Sequence, residues 1–322
     1  MRQKAPGMGS FLLTKQGNYL EREGVNMKFG ILEIGSTNTK ACIYDNGTLN
    51  DHGQKHIAFK ENYTDGLSAS DIDSLYDFIN EIKKDVDKIY AFGTSIFRKI
   101  SDQEQSKFAD SLKEKFNIDF KIVSADDEAR YTVDGVVGNI NYDGKLAIVI
   151  GGGGSTELIV TEDKKVVKKT LLDFGAMDIT KAFPDLRDDK ATTDFDTILN
   201  YTSEKVGNLN VDADVLVLAG GNYIYFYQKA DYEMATNHLY EDKNQPFLLT
   251  FDKLDSYSHD MMTKSWDEIK AKCPGNEAWW DGSRGMGFCM NAVARELNAK
   301  YIIPTKVNMT IGLVNEILDK NN

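Results

Sequence analysis

The feature that most constrains this chain is an internal repeat. Residues 29–45, FGILEIGSTNTKACIYD, run from an apolar strand through a Gly-Ser-Thr turn into a second strand. Residues 146–163, LAIVIGGGGSTELIVTED, repeat the pattern roughly 120 residues later. Each copy predicts a β-hairpin with small residues at its tip, followed by extended, β-branched sequence. At 322 residues the chain is long enough for two domains of ordinary size, each with its own core.

Small residues at both tips have a physical reason. Glycine permits positive φ and lets backbone N–H groups approach an anion closely, while Ser and Thr hydroxyls add donors. Two such loops facing each other would clamp phosphate. Gly35-Ser36-Thr37 taken alone reads as an ordinary turn. The run Gly151 to Gly154 is harder to explain as structure, because each strand glycine costs stability without packing anything. A third pair, Gly220-Gly221, follows the apolar strand Val215 to Ala219 and precedes the helix-like stretch Asn222 to Lys229. Strand, glycine turn and helix is a common way to present a ligand at the end of an α/β sheet.

Composition excludes several classes. The longest apolar runs are strand-sized, far short of the roughly 18 residues needed to span a bilayer, so no membrane association is expected. Cys42, Cys273 and Cys289 are far apart and lack metal-ligand spacing, which speaks against disulfides and zinc and for a reducing cytoplasm. The formal charge of −12 argues against non-specific nucleic-acid binding, which needs a basic face. Residues 1–26 differ from the rest and read as a disordered leader or as a mis-assigned start, with Met27 the natural first residue. Apolar spacing at Ile72, Leu75, Phe78, Ile79 and Ile82 predicts a helix over Asp71 to Lys84, capped by Ser70 or Asp71. Lys107 to Phe116 repeats that pattern. The tyrosines of 223–227 read as packing, with stacking on a base as the other reading.

The order of motifs resembles the exopolyphosphatase and guanosine pentaphosphate phosphohydrolase (Ppx/GppA) family over about residues 28 to 318, in a short two-domain form. Glu33-Ile-Gly-Ser-Thr-Asn38 resembles the family's first loop, Asp-x-Gly-Ser-Asn-Ser. Gly93-Thr-Ser-Ile-Phe-Arg98 is similar to its Ala-Thr-Ser-Ala-x-Arg segment, and Val123-Ser-Ala-Asp-Asp-Glu-Ala-Arg130 to its Ile-Ser-Gly-x-Glu-Glu-Ala-Arg. Gly152-Gly-Gly-Ser-Thr-Glu157 matches the second loop, Phe174-Gly175-Ala176 stands where Leu-Gly-Ala is usual, and Gly220-Gly221-Asn222 where Ser-Gly-Thr is common.

The resemblance implies an α/β, actin-like ATPase (ribonuclease H-like) fold, with two related α/β domains flanking a cleft. Domain I would comprise 27–125 with 307–322 and domain II 126–306. It implies a phosphoanhydride hydrolase that releases terminal phosphate from short polyphosphate or guanosine pentaphosphate by Mg²⁺-assisted water attack. It assigns water activation to Glu128, with Glu157 as a second catalytic carboxylate. Metal ligation falls to Glu33 and Glu157. Phosphate binding falls to Gly35, Ser36, Thr37, Asn38, Arg98, Gly152, Gly153, Gly154, Ser155 and Thr156, with Gly220, Gly221 and Asn222 as a further ligand turn. Oligomeric state is left open, with a homodimer as the working expectation.

One departure bears on activity. The family's second loop normally opens with an aspartate expected to help hold the metal. Counting back from Gly152 puts Ile150 there, whereas aligning the strand puts Val149 there, and Gly151 reads as a remodelling of the loop. Two alternatives stand beside the hydrolase: a catalytically weakened sensor of polyphosphate or guanosine polyphosphate, which the missing aspartate supports, and an actin-fold small-molecule kinase, which shares the superfold. The acidic balance, with cations only in short groups such as Arg98-Lys99, points to short substrates.

Overall fold

The computed structural model describes residues 27–321 other than Thr37, Asn139, Asn141, Asp143, Lys243 and 273–276, and only the backbone of 277–279. The expected leader and Thr37 lie outside the described residues. Two compact units emerge, one formed by the chain up to Thr132 with Met309 onward, the other by Val133 to Asn308.

The first unit opens with β1 (Lys28–Ile34), β2 (Asn38–Asp45) and β3 (Thr48–His56), an antiparallel meander. Asn46 and Gly47 both have positive φ, at 47° and 99°, which suits the tight Asn-Gly turn between β2 and β3. Helix α1 (Ala69–Ile82), β4 (Ile89–Gly93), α2 (Asp102–Phe116), β5 (Phe120–Ile122) and α3 (Ala125–Val137) follow, and α3 straddles the division between the units. The sheet order is β3-β2-β1-β4-β5, with β1, β4 and β5 parallel. Central strand β1 reads as a continuous apolar run because both of its faces are covered. Leu32 and Ile34 pack with Leu75, Phe78 and Ile79 of α1 and Phe108 of α2.

Helix α1 begins two residues earlier than the spacing predicts, with Ser68 at its N-cap position. Asp71 does not cap it because its carboxylate turns inward, accepting from Asn62 Nδ2 at 3.1 and 3.0 Å. Helix α2 also starts early, where the Ser101 hydroxyl accepts from Glu104 N, and it stops at Asn117 in the left-handed region.

The second unit repeats the plan. Strands β6 (Leu146–Gly151), β7 (Thr156–Glu162) and β8 (Lys165–Leu172) form a second antiparallel meander. Then come α4 (Ala176–Ala182), α5 (Phe195–Val206), β9 (Val215–Leu218), α6 (Asn222–Lys229), β10 (Ala235–Thr236), β11 (Phe247–Thr250), α7 (Phe251–Thr263), α8 (Trp266–Ala271), α9 (Ser283–Glu296) and β12 (Tyr301–Pro304). The sheet order β8-β7-β6-β9-β12 matches β3-β2-β1-β4-β5 strand for strand, and β11 and β10 extend it. The core helix is α9, with Phe288, Met290, Ala292 and Val293 fully buried.

Arg284 of α9 is 2 % exposed. Its guanidinium donates to the carbonyls of Met261, Leu186, Asp188, Asp189 and Lys264 and stacks over Trp266 at 4.3 Å. It therefore ties the end of α7 and the segment after α4 to α9 through backbone acceptors.

Helix α10 (Met309–Lys320) closes the first unit against α3. The two approach so closely at Gly312 that a Cβ there would stand 2.1 Å from Tyr131 O. Glu316 fixes the contact, accepting from Arg130 and Tyr131 at 2.8 Å each and from Lys320 at 2.6 Å. Among the described residues no helix is long and apolar enough to cross a membrane.

Candidate functional site

The carboxyl ends of parallel strands are where open α/β sheets present ligand groups. In the first unit the residues after β1, β4 and β5 are Gly35-Ser36, Thr94 to Arg98, and Ser124 to Glu128. Gly35 N donates to Asn38 O at 3.0 Å, which closes the first hairpin tip. Ser36 Oγ donates to Ser95 Oγ at 2.8 Å and accepts from Ile96 N at 3.3 Å, so the turns after β1 and β4 interlock. Asn38 is exposed, and its Oδ1 lies 3.4 Å from His56 Nδ1.

Ser95 was not among the expected site residues. It has φ +50°, a backbone conformation that costs a non-glycine residue energy and persists only where its surroundings enforce it. The enforcement is visible one turn on. Phe97 is fully buried, with its ring centroid 4.9 Å from Phe108 and 5.2 Å from Phe120. The aromatic anchor holds the single 3-10 turn Ser95–Arg98, and Arg98 leaves it next to α3.

Arg98 Nη1 donates to Val123 O at 3.0 Å and to Glu128 Oε2 at 2.6 Å. Both side chains keep part of their surface in solvent, 26 % and 20 %. Glu128 sits in the first turn of α3, which Ser124 starts by accepting from Asp127 N at 3.0 Å. The expected phosphate clamp and the expected water-activating carboxylate are thus partners in one ion pair. Glu33, on β1, accepts from Thr310 Oγ1 of α10 at 3.0 Å.

In the second unit Gly152 N donates to Ser155 O at 2.9 Å, the counterpart of the Gly35 to Asn38 bond. Aligning these two closures equates Gly152 with Gly35, Gly151 with Ile34, and Ile150 with Glu33. The strand register agrees: Glu33 stands opposite Lys40, and Ile150 opposite Glu157. Val149 is fully buried in the core, so the missing carboxylate belongs at Ile150. Gly151 is a substitution within an unchanged hairpin length; the expected remodelling is a change of side chain.

Gly153, Gly154 and Ser155 are exposed at this tip. Ala176 N and Met177 N donate to the carbonyls of Gly152 and Gly153 at 3.1 and 2.8 Å and hold the loop against α4. Thr156 is placed differently from a ligand. It is fully buried, and its hydroxyl donates to Phe174 O at 3.1 Å. Gly220 and Gly221 have φ of +96° and +89°, and their amides donate to Val307 O and Thr305 O. Asn222, which begins α6, is exposed.

Within neither unit do three or more His, Cys, Asp or Glu side chains of the described residues cluster. Glu157 faces the hydrocarbon side chain of Ile150 across the ladder.

The sequence profile of the Ppx/GppA phosphatase family matches residues 62–264. The chain belongs to that family. Among solved structures, the chain is similar to the Ppx/GppA family member of Aquifex aeolicus. The two are 18% identical with a TM-score of 0.72, over 92% of this chain and 99% of the other. It is also similar to an exopolyphosphatase from Cytophaga hutchinsonii, at 18% identity and a TM-score of 0.70 over 91% and 98% of the two chains. No curated protein sequence matches. The fold of the chain is the α/β, actin-like ATPase one, in keeping with the duplicated sheet order.

Proposed function

We propose that the chain hydrolyses the terminal phosphoanhydride of a short polyphosphate or of a nucleoside polyphosphate such as guanosine pentaphosphate. The observation that carries the reading is the Arg98–Glu128 pair beside the interlocked hydroxyls of Ser36 and Ser95. A planar guanidinium matches the oxygens of a phosphoryl group, and hydroxyl donors extend the cradle. When phosphate engages Arg98, Glu128 is freed from its partner and can orient a water. Oxygen of that water attacks phosphorus, its proton passes to Glu128, and the bridging P–O bond breaks with its electrons leaving on the shortened chain. Magnesium, when bound to the phosphates, would supply charge neutralisation.

Ile150 favours a second reading, a sensor that binds the same ligands and turns them over weakly or not at all. Phosphate release from tripolyphosphate, long polyphosphate and guanosine pentaphosphate, with and without Mg²⁺, separates the two. Release from at least one short substrate supports the hydrolase. Saturable binding without release supports the sensor.

A further inference from the structure

The two duplicated sheets end on matching outer strands that carry different residues. Strand β3 closes one edge of the first sheet and β8 the corresponding edge of the second, each with its outer side unpaired among the described residues. Both contain a bulge, opposite Ala41 and Cys42 in β3 and opposite Val160 and Thr161 in β8, so the bulge belongs to the shared plan. Strand β3, TLNDHGQKH, is polar and shows no large aliphatic side chain to solvent. Strand β8, KVVKKTLL, carries three lysines and no acidic residue. Its Val166, Val167 and Leu171 are 45%, 52% and 62% exposed, and among the described residues no other large hydrophobic side chain is so open. The fold does not require this pattern, because β3 fills the same place without it.

Apolar side chains gathered on one exposed strand mark a contact surface, whereas scattered ones are ordinary. An outer strand of this length also offers backbone donors and acceptors over about 26 Å, and lysines on such a strand guard it against pairing with its like. That guard is selective. A second copy would set lysines against lysines, which repel, whereas an acidic strand meets the opposite charge here and is repelled by the rest of a chain at −12. Lys164, in the turn leading into β8, has φ +63°, a left-handed position that glycine occupies at less cost. The equivalent turn in the first unit places Gly47 there. Glu162 stands opposite Lys165 and offsets part of the charge, but beyond the bulge Lys168 to Leu172 pair residue for residue with Val160 to Thr156, a regular run on which a further strand can be laid. Lys168 shares a face with Val160 and donates to Leu209 O, while Lys169 and Leu171 share the other face with Ile159 and Glu157. A bilayer would need one apolar face, and this edge has none.

We propose that the open edge of β8 takes an extended segment of a partner protein, acidic and apolar in composition, as a further strand of the second sheet. Main-chain hydrogen bonds give the segment its affinity, and the lysines select its charge. Its apolar residues cover Val166, Val167 and Leu171, and its acidic residues lie along the lysines. Leu171 stands opposite Glu157, so the added strand runs toward the second glycine loop and holds the partner beside it.

The test is titration of the full chain with an acetylated, amidated eight-residue peptide of alternating Glu and Val, followed by fluorescence anisotropy of a dye on the peptide. The expected result is saturable binding, about tenfold or more tighter than that of the matching Lys and Val peptide or of the Glu and Val peptide methylated at every backbone nitrogen. Backbone amides of β8 should exchange more slowly in the complex than in the free protein. Val167→Glu and Leu171→Thr should each weaken binding by about threefold to tenfold. Both positions are exposed, so both variants are expected to fold. Equal binding of the methylated peptide leaves charge attraction alone and overturns strand addition. Equal binding of the Lys and Val peptide overturns the acidic partner, and peptide binding with β8 exchange unchanged, or unaltered in both variants, overturns the location. Protection of β8 that rises with protein concentration in the absence of peptide assigns the edge to a second copy. Binding to phosphatidylserine vesicles without peptide binding assigns it to a membrane. Either result overturns the proposal, as does the absence of binding by any probe.

Discussion

Arg98 Nη1 donates to Glu128 Oε2 at 2.6 Å, joining the turn after β4 to the first turn of α3. In the proposed function the two residues compete with substrate for each other. A phosphoryl group that takes the guanidinium releases the carboxylate, and a variant lacking the carboxylate leaves the guanidinium open to phosphate.

This competition predicts opposite effects on binding. Arg98→Ala should weaken tripolyphosphate binding about tenfold to a hundredfold, as expected for loss of a charge-assisted contact. Glu128→Ala should bind it as tightly as the parent or tighter, because its only casualty in the resting state is the partner of Arg98. Equilibrium titration of both variants reads this directly, and weaker binding in Glu128→Ala would count against the competition.

Ile150→Asp places a carboxylate across the ladder from Glu157. Like charges directly opposite each other repel, so the variant should be less stable than the parent without a cation and should regain stability on adding Mg²⁺. Thermal unfolding with Mg²⁺ and with a chelator reads this independently of turnover. Gain of Mg²⁺-dependent phosphate release in the same variant would identify the missing carboxylate as a limit on activity. Val149→Asp should instead unfold the second unit, since Val149 is fully buried in its core.

Much of this was legible in the sequence, and the losses have identifiable causes. The two hairpins announce themselves through the small residues Gly35-Ser36 and Gly152 to Ser155, which a tight turn favours. The exact partner of Glu33 was ambiguous between Val149 and Ile150 because the apolar strand before the loop offers no marker of register, and only the matching amide closures at Gly35 and Gly152 resolve it. Ser95 stood in plain view within the Thr-Ser motif, but its positive φ is imposed by the distant Phe97–Phe108–Phe120 cluster. The sequence places helix α1 late because Asp71 looks like a cap, whereas Asn62 draws it inward.

Removing Arg284 should be costly. Arg284→Met keeps the apolar stem but leaves buried carbonyls without donors, each loss worth about 1–3 kcal/mol before relaxation. The expected outcome is a drop in denaturant midpoint confined to the second unit's transition, equivalent to roughly 3 kcal/mol or more. An unchanged midpoint would show that water replaces the guanidinium.

Acid should loosen α10. Burial works against the Glu316 charge, but hydrogen bonds from Lys320, Arg130 and Tyr131 outweigh it and hold the carboxyl at about 2, below its ordinary value of 4.5. A carboxyl depressed on folding contributes stability that is fully present above the unfolded value and lost as pH falls toward the folded one. Glu316→Gln should thus be less stable than the parent at pH 7, with the difference shrinking between 4.5 and about 2. Amide exchange in α10, compared between the two proteins across that window, is the measurement.

The central claim is that Glu128 activates water for attack on a terminal phosphate held by Arg98. It is tested most directly by measuring phosphate release and ligand binding side by side in the parent and in Glu128→Gln, with tripolyphosphate and guanosine pentaphosphate as substrates. Loss of a positioned general base predicts release slowed by about a hundredfold to ten-thousandfold with binding retained. Equal release from the two proteins, or binding by the parent with no release from any phosphoanhydride, would contradict it.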